Sequence, residues 1–282
     1  MHERGRSRLQ RGECWDDLRV LRSSEPLLGG CRANSQFQFS CWVWLDAVRD
    51  KKSAVTVLRV LHGDAENRLV RSFRPRRRKL GPELTRVYDR LRSTWSVAEH
   101  GSVLDLSAVF ANDNPVCLEI GCGRGDLAIA FAPSHPDVNL IAIDIHTRGI
   151  ANILQAIENF SLVNTRVVEG DVLVLLQRIA VASLDEVWIF FPDPWPKQRE
   201  QSRRLLRPEV VAQIAEVLKP GGCIRLATDI EDYWRKSSDI IASSGFFAAP
   251  TVGRPEWRIE TVFEKRGNAA GLPAVDMSFE RL

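Results

Sequence analysis

The sequence predicts an α/β protein built on a doubly wound, mostly parallel seven-stranded sheet with an antiparallel C-terminal strand pair. Three observations predict it. From Val116 onward, short apolar runs alternate with helical segments, the pattern of parallel strands joined by right-handed crossovers. The first run, VCLEI, passes directly into the turn GCGRG, where glycines let a chain reverse sharply and approach a ligand closely. Acids stand at the ends of four successive strand-like runs, and ligands of open parallel sheets bind at those carboxyl ends.

Residues 1–67 scatter arginines, cysteines and tryptophans without a sustained period. They read as a poorly defined, poorly ordered N-terminal extension that could reflect an upstream start codon. Residues 68–282 form the predicted domain, and its basic N-terminal arm covers 68–92. The arm opens with RLVRSFRPRRRK, where Pro75 discourages a helix, and continues into a short helix over Pro82–Leu91. The strand VCLEIG follows, then a helix over Asp126–Phe131 and the turn PSHPD. Next come the strand Asn139–Ile145, a helix over Arg148–Asn159, the strand Thr165–Asp171 and a helix over Val172–Ala180. The strand Ser183–Phe191 leads to a helix around Pro208–Leu218, the turn Lys219-Pro-Gly-Gly222, the strand Cys223–Asp229 and a helix over Tyr233–Ser243. RIETVFEKRG and AVDMSFERL are predicted to form the closing antiparallel pair.

At 282 residues the chain can hold one large domain or a domain with an extension. A hydrophobic share of 44% and a charged share of 27% are those of a globular protein. No apolar run approaches the roughly 20 residues of a membrane span, and the N-terminus lacks the apolar core of a signal peptide. The chain is therefore expected in the cytoplasm, off the membrane. The six cysteines form no C-x-x-C pair, so neither a disulfide framework nor a zinc site is indicated. A net charge of +3 does not by itself announce nucleic acid. Its distribution says more.

The chemistry gathers at the strand ends. Glu119 precedes Gly121, Gly123 and Gly125 in a G-x-G-x-G spacing, not the G-x-G-x-x-G of dinucleotide folds. An acid before such a turn suits a cationic ligand, and the usual one is S-adenosylmethionine. Asp144, about twenty residues past Gly121, is placed like the acid that grips ribose hydroxyls. Asp171 could meet an adenine amino group, or cap the helix it precedes. Asp193 lies in FFPDPWPK, held between two prolines that fix the backbone. Trp195 offers a flat face for stacking a base. Lys197, Arg199, Arg203, Arg204 and Arg207 continue this rim as a basic run, suited to RNA. The earlier cluster of Arg76, Arg77 and Arg78 reads equally as a solvated arm or as a phosphate-contacting one.

These segments resemble the bacterial tRNA (guanine-N7-)-methyltransferase family. The resemblance is carried by LEIGCGRGD, AIDIH, FFPDPWPK with its trailing RR, LKPGGCIRLATDIEDY, RIETVFEKRG and the terminal SFERL. RSFRPRRRKL resembles the family's basic arm. The likeness spans roughly Arg68 to Leu282, and F-P-D-P-W with a later T-x-F-E is far more specific than the glycine turn. It implies an S-adenosylmethionine-dependent methyltransferase fold and methylation of N7 of a guanine in the tRNA variable loop, giving 7-methylguanosine. It implies that Glu119, Asp144, Asp171 and Asp193 are cofactor-site acids and that Asp193 is catalytic. Lys197, Asp229, Thr261, Val262, Phe263 and Glu264 match substrate-contacting positions. Asp144 stands where many members carry glutamate, and Pro196 where many carry histidine.

Guanine N7 has an in-plane lone pair, so methylation requires placement more than proton removal. Asp193 is expected to orient the guanine edge, with Asp229 and Glu264 sharing that work. No metal and no obligate protein partner is called for. Rival readings are an adenine-N6 or cytosine-N4 methyltransferase, a non-catalytic RNA-binding module and a dehydrogenase. The first needs its prolines directly after the polar residue, the second has no reason to keep four cofactor acids, and the third needs a different glycine spacing.

Overall fold

The structure is a computed structural model that describes residues 79–282. The chain opens with α1 (Pro82–Trp95) and α2 (Leu106–Phe110). Then follow β1 (Val116–Ile120), α3 (Asp126–Ser134), β2 (Asn139–Asp144), α4 (Thr147–Phe160) and β3 (Thr165–Glu169). Next are α5 (Val172–Leu175), β4 (Leu184–Phe190), α6 (Pro208–Val217), β5 (Leu218–Thr228) and α7 (Glu231–Ser243). The chain closes with β6 (Thr251–Val252), α8 (Val262–Ala269) and β7 (Val275–Glu280).

The seven strands lie in the order β3-β2-β1-β4-β5-β7-β6. The first five are parallel, while β7 pairs antiparallel with both β5 and β6. Strands β1 and β2 are buried along their whole length, as parallel strands covered on both faces should be. Successive side chains point to opposite faces, so each strand feeds two cores. Leu118, Ile120, Ile141, Ile143, Val187 and Ile189 pack with residues of α5, α6 and α7. Cys117, Leu140, Ala142, Val167 and Trp188 pack with residues of α1, α3 and α4. Strand order reverses between β1 and β4, and this opens a crevice at their carboxyl ends.

Three expected elements differ. RIETVFEKRG is not a strand: it contains the start of α8. Thr261 caps that helix, its hydroxyl accepting from the Glu264 N–H at 3.3 Å. T-x-x-E is a capping-box pattern, and it outweighs the β-propensity of Thr-Val-Phe. The partner of β7 at the sheet edge is instead Thr251–Val252. The helix expected to reach Ala180 gives way after Leu175 to a 3-10 turn, Leu176–Arg178. Lys219-Pro-Gly-Gly222, expected as a turn, lies inside β5, with a register irregularity opposite Leu184–Glu186.

Helix α1 runs to Trp95, past its expected end. It is tied down where Arg90 pairs with Glu158 of α4 and the Tyr88 hydroxyl donates to Glu169 at the end of β3. The Val97 N–H then donates to Val167 O at 2.8 Å. Arg76, Arg77, Arg78 and the extension 1–67 lie outside the described residues. Among the described residues, no helix is long and apolar enough to cross a membrane.

Candidate active site

The glycine turn follows β1. Gly121, Gly123 and Gly125 have φ of 78°, 58° and 82°, a region closed to most side chains. The Gly121 and Cys122 N–H groups donate to Ile143 O at 2.9 and 3.1 Å, locking the turn onto β2. A Cβ on Gly121 would meet open space, whereas one on Gly149 of α4 would overlap the Gly123 carbonyl oxygen. Gly149 thus lets α4 seat directly against the turn. Sequence reading passed over it, although a glycine one turn into a helix costs about 1 kcal/mol and invites a packing explanation.

Beneath the turn lies Glu119, 5% exposed. Its Oε2 is buried with no hydrogen-bond partner. Burial, then the nearby charges of Asp144 and Asp126, push its pKa up to about 8. Asp144 is already engaged. Its Oδ2 accepts from the Gly123 N–H at 2.7 Å, and its Oδ1 accepts from both the His146 N–H and the His146 ring at 2.8 Å. A carboxylate oxygen accepts about two hydrogen bonds. Oδ1 is therefore filled and Oδ2 keeps one place, so a two-bond grip on a ribose diol by this side chain alone is not supported. Asp171 caps α5, accepting from the Leu173 N–H at 3.0 Å. Its own N–H donates to Glu99 at 2.6 Å, and the bare Cα of Gly170 admits that carboxylate. Glu99 carried no signal in the sequence.

Strand β4 leads into the P-D-P-W turn. Ile120 and Ile189 are paired across β1 and β4, so the glycine turn and Phe190-Phe191 begin side by side. Phe191 has φ of 51° and its N–H donates to Ala227 O at 2.8 Å. Asp193 is exposed beyond it. Lys197, Gln198 and Arg199 are exposed and line an open recess beside the turn. Two expectations need correction here. Trp195 is only 4% exposed, and the Arg203 guanidinium sits 4.9 Å from its ring centroid, so its face does not stand open to a base. Arg204, expected to contact RNA, is 6% exposed and donates inward to Pro194 O at 2.9 Å and to Asp232 at 2.7 Å.

Asp229 lies one residue past β5. A Cβ on Gly267 of α8 would stand 2.9 Å from Asp229 Oδ2, so this glycine lets the helix and the acid meet. Thr261 and Val262 are half-buried at the start of α8, in the turn that also holds Phe263. Glu264, expected to touch substrate, is 3% exposed and committed elsewhere. Arg258 donates to its two oxygens at 2.8 and 2.9 Å, and Arg254 to the same two at 2.6 and 3.4 Å. Burial would raise the Glu264 pKa, but the bonds and charge of Arg258, aided by Arg254, leave it lowered overall. Arg258, fully buried, also grips Asp276 at 2.5 and 2.7 Å and lies over the Phe190 and Phe191 rings at 5.5 and 5.7 Å. One guanidinium thus ties α8 to β7 and to the end of β4. Nothing in the sequence marked Arg258 for this task.

Comparison with known proteins bears on the same segments. A family model described as "Putative methyltransferase" matches residues 113–277. The tRNA (guanine-N(7)-)-methyltransferase of Streptomyces avermitilis is 37% identical over 226 residues, 78% of this chain and 78% of that one. The protein of the same name from Nitrosospira multiformis is 36% identical over 219 residues, 76% of this chain and 96% of its own. The chain belongs to the tRNA (guanine-N(7)-)-methyltransferase family. A further member, from Nitrosomonas europaea, is 38% identical over 199 residues, 69% of this chain and 89% of its own. The matched residues 113–277 run from just before β1 into β7. They include all four strand-end acids, the P-D-P-W turn and the capped start of α8.

Proposed function

We propose that this protein transfers a methyl group to N7 of a guanine in tRNA, forming 7-methylguanosine. The observation that carries the reading is the P-D-P-W turn at the carboxyl end of β4, which presents Asp193 exposed beside the glycine turn of β1 across the switch point. S-adenosylmethionine is the methyl donor, and when bound it supplies an electrophilic methyl on a sulfonium. The residues present fit it. Glu119 offers an orphaned buried oxygen in an acid-rich floor, which suits the cationic amino-acid end. Gly121 leaves open space above that floor. Asp144 retains one acceptor place for a ribose hydroxyl, and Asp171, besides capping α5, faces the same strand-end crevice by its place after β3.

The guanine lone pair at N7 lies in the ring plane, so no group need remove a proton before attack. What remains is placement. Asp193 accepts from the guanine N1–H and exocyclic amine and so orients the base. Asp229, Lys197 and the α8 start (Thr261, Val262, Phe263) border the base, with Glu264 as the fixed point behind them. Arg199 and Arg203, with Arg76, Arg77 and Arg78 of the arm, contact tRNA phosphates, which supply affinity rather than choice of base. The guanine of the variable loop is the target that the family resemblance favours, and the cytoplasm is the compartment where such a substrate is met.

The test is methylation of bulk unmodified tRNA with labelled S-adenosylmethionine, followed by digestion to nucleosides. Label should appear as 7-methylguanosine, and Asp193→Ala should keep its fold while losing most of that activity. Label in another nucleoside, or an Asp193→Ala rate equal to wild type, would refute the assignment.

A further inference from the structure

Arg204 belongs to the basic stretch that follows the P-D-P-W turn, yet its side chain points into the protein. Its Nε donates to Pro194 O at 2.9 Å, and its Nη2 donates to Asp232 Oδ2 at 2.7 Å. The guanidinium lies 5.1 Å from the ring centroid of Tyr233, a buried residue of α7. Asp232, about half exposed, is held in turn by Lys236 at 2.9 Å. Pro194 directly follows Asp193 and directly precedes Trp195, whose φ of 41° is disfavoured for a bulky side chain. Pro192 and Pro194 bring carbonyl acceptors to this turn but no N–H donors. Arg204 supplies the Pro194 carbonyl with a donor from outside the turn.

We infer that Arg204 is a positioning residue for the P-D-P-W turn: it fastens the Pro194 carbonyl to α7 and so fixes where Asp193 stands. The inference rests on the reading of Asp193 given above. Arginine suits the task because its planar fork serves a carbonyl and a carboxylate in two directions at once, whereas lysine presents a single ammonium. Burial sets Arg204 apart from its exposed neighbour Arg203, which keeps the phosphate-contacting role. Since the reaction is limited by placement, a small drift of the turn is costly; a misplacement of about 1 Å can lower a rate by about 100-fold.

The test compares Arg204→Lys, Asp232→Asn and Asp193→Ala by turnover at saturating tRNA and S-adenosylmethionine, by cofactor affinity, and by tRNA affinity against salt concentration. Arg204→Lys is expected to lose about tenfold or more in turnover, with cofactor affinity and salt slope unchanged. Asp232→Asn, at the exposed partner, should show a smaller loss of the same kind. Wild-type turnover in Arg204→Lys would overturn the inference, as would a shallower salt slope with turnover intact, since that is the signature of a lost phosphate contact. Should Arg204→Lys fail to fold, wild-type turnover in Asp232→Asn would overturn it. Wild-type turnover in Asp193→Ala is a separate result and would remove the reading of Asp193 itself.

Discussion

Glu119 is the residue whose chemistry is most exposed to test. It is a buried carboxylate with an orphaned oxygen, its pKa pushed up to about 8 by burial and by the charges of Asp144 and Asp126. In the unfolded chain it would titrate near 4.5. Between those two values the folded protein holds a proton that the unfolded chain has released. The resulting contribution to stability is full below about pH 4.5 and is lost as pH rises through about 8. The unliganded protein should therefore lose melting temperature relative to Glu119→Gln as pH is raised from about 5 to about 8, because the amide carries no such penalty. Parallel melting curves over that range would contradict a protonated Glu119. The same substitution should weaken S-adenosylmethionine binding by about 1.5–3 kcal/mol, the worth of a hydrogen bond to a charged group. Glu119 was legible as a candidate because it is one of four acids at successive strand ends, where any single acid reads equally as a loop acid or a helix cap. The commitments of Asp144 and Glu264 were not. Of their partners, Gly123 meets Asp144 only once the chain is folded, while His146, Arg254 and Arg258 are close in sequence but carry no spacing that marks them for these acids.

Elements decide how rigidly the site is held. Helix α4 presses on the glycine turn through Gly149, where an added Cβ would overlap the Gly123 carbonyl. Gly149→Ala should cost about 1–3 kcal/mol of stability, the usual penalty for overpacking, and should displace the turn enough to weaken cofactor binding. Thermal melting and calorimetry on that variant check both effects; wild-type values in each would mean that the turn tolerates movement. At this scale the sequence was readable where periodicity is strong. Strands β1 to β4 stand close to their expected places, because apolar runs flanked by turns leave few alternatives. It was misread where two local signals compete. In RIETVFEKRG the alternation of β-formers suggested a strand, while Thr261 and Glu264 formed the start of a helix. The T-x-x-E spacing was visible in the sequence and was the better guide. The edge strand Thr251–Val252 has two residues, too few for a periodicity to show.

Across the whole molecule, the sheet gathers chemistry at one end. The glycine turn, Asp144, Asp171, the P-D-P-W turn and Asp229 all follow the carboxyl ends of parallel strands, while α1, at the root of the basic arm, is fastened to α4 and β3. Arg76, Arg77 and Arg78 of that arm lie outside the described residues. This layout was legible because strand order in doubly wound sheets follows from connection rules rather than from particular side chains. What those rules do not convey is which cations face outward. Arg203 and Arg204 are adjacent in sequence, yet one covers Trp195 at the surface and the other is buried beneath Pro194. The central claim is that the methyl acceptor is N7 of guanine, presented by placement alone. The measurement that tests it most directly uses two tRNA transcripts, one ordinary and one with 7-deazaguanosine in place of guanosine, each incubated with labelled S-adenosylmethionine. The 7-deaza transcript should still bind, since phosphates supply most of the affinity, and should accept no label, while the ordinary transcript is methylated. Equal labelling of both transcripts would contradict the account.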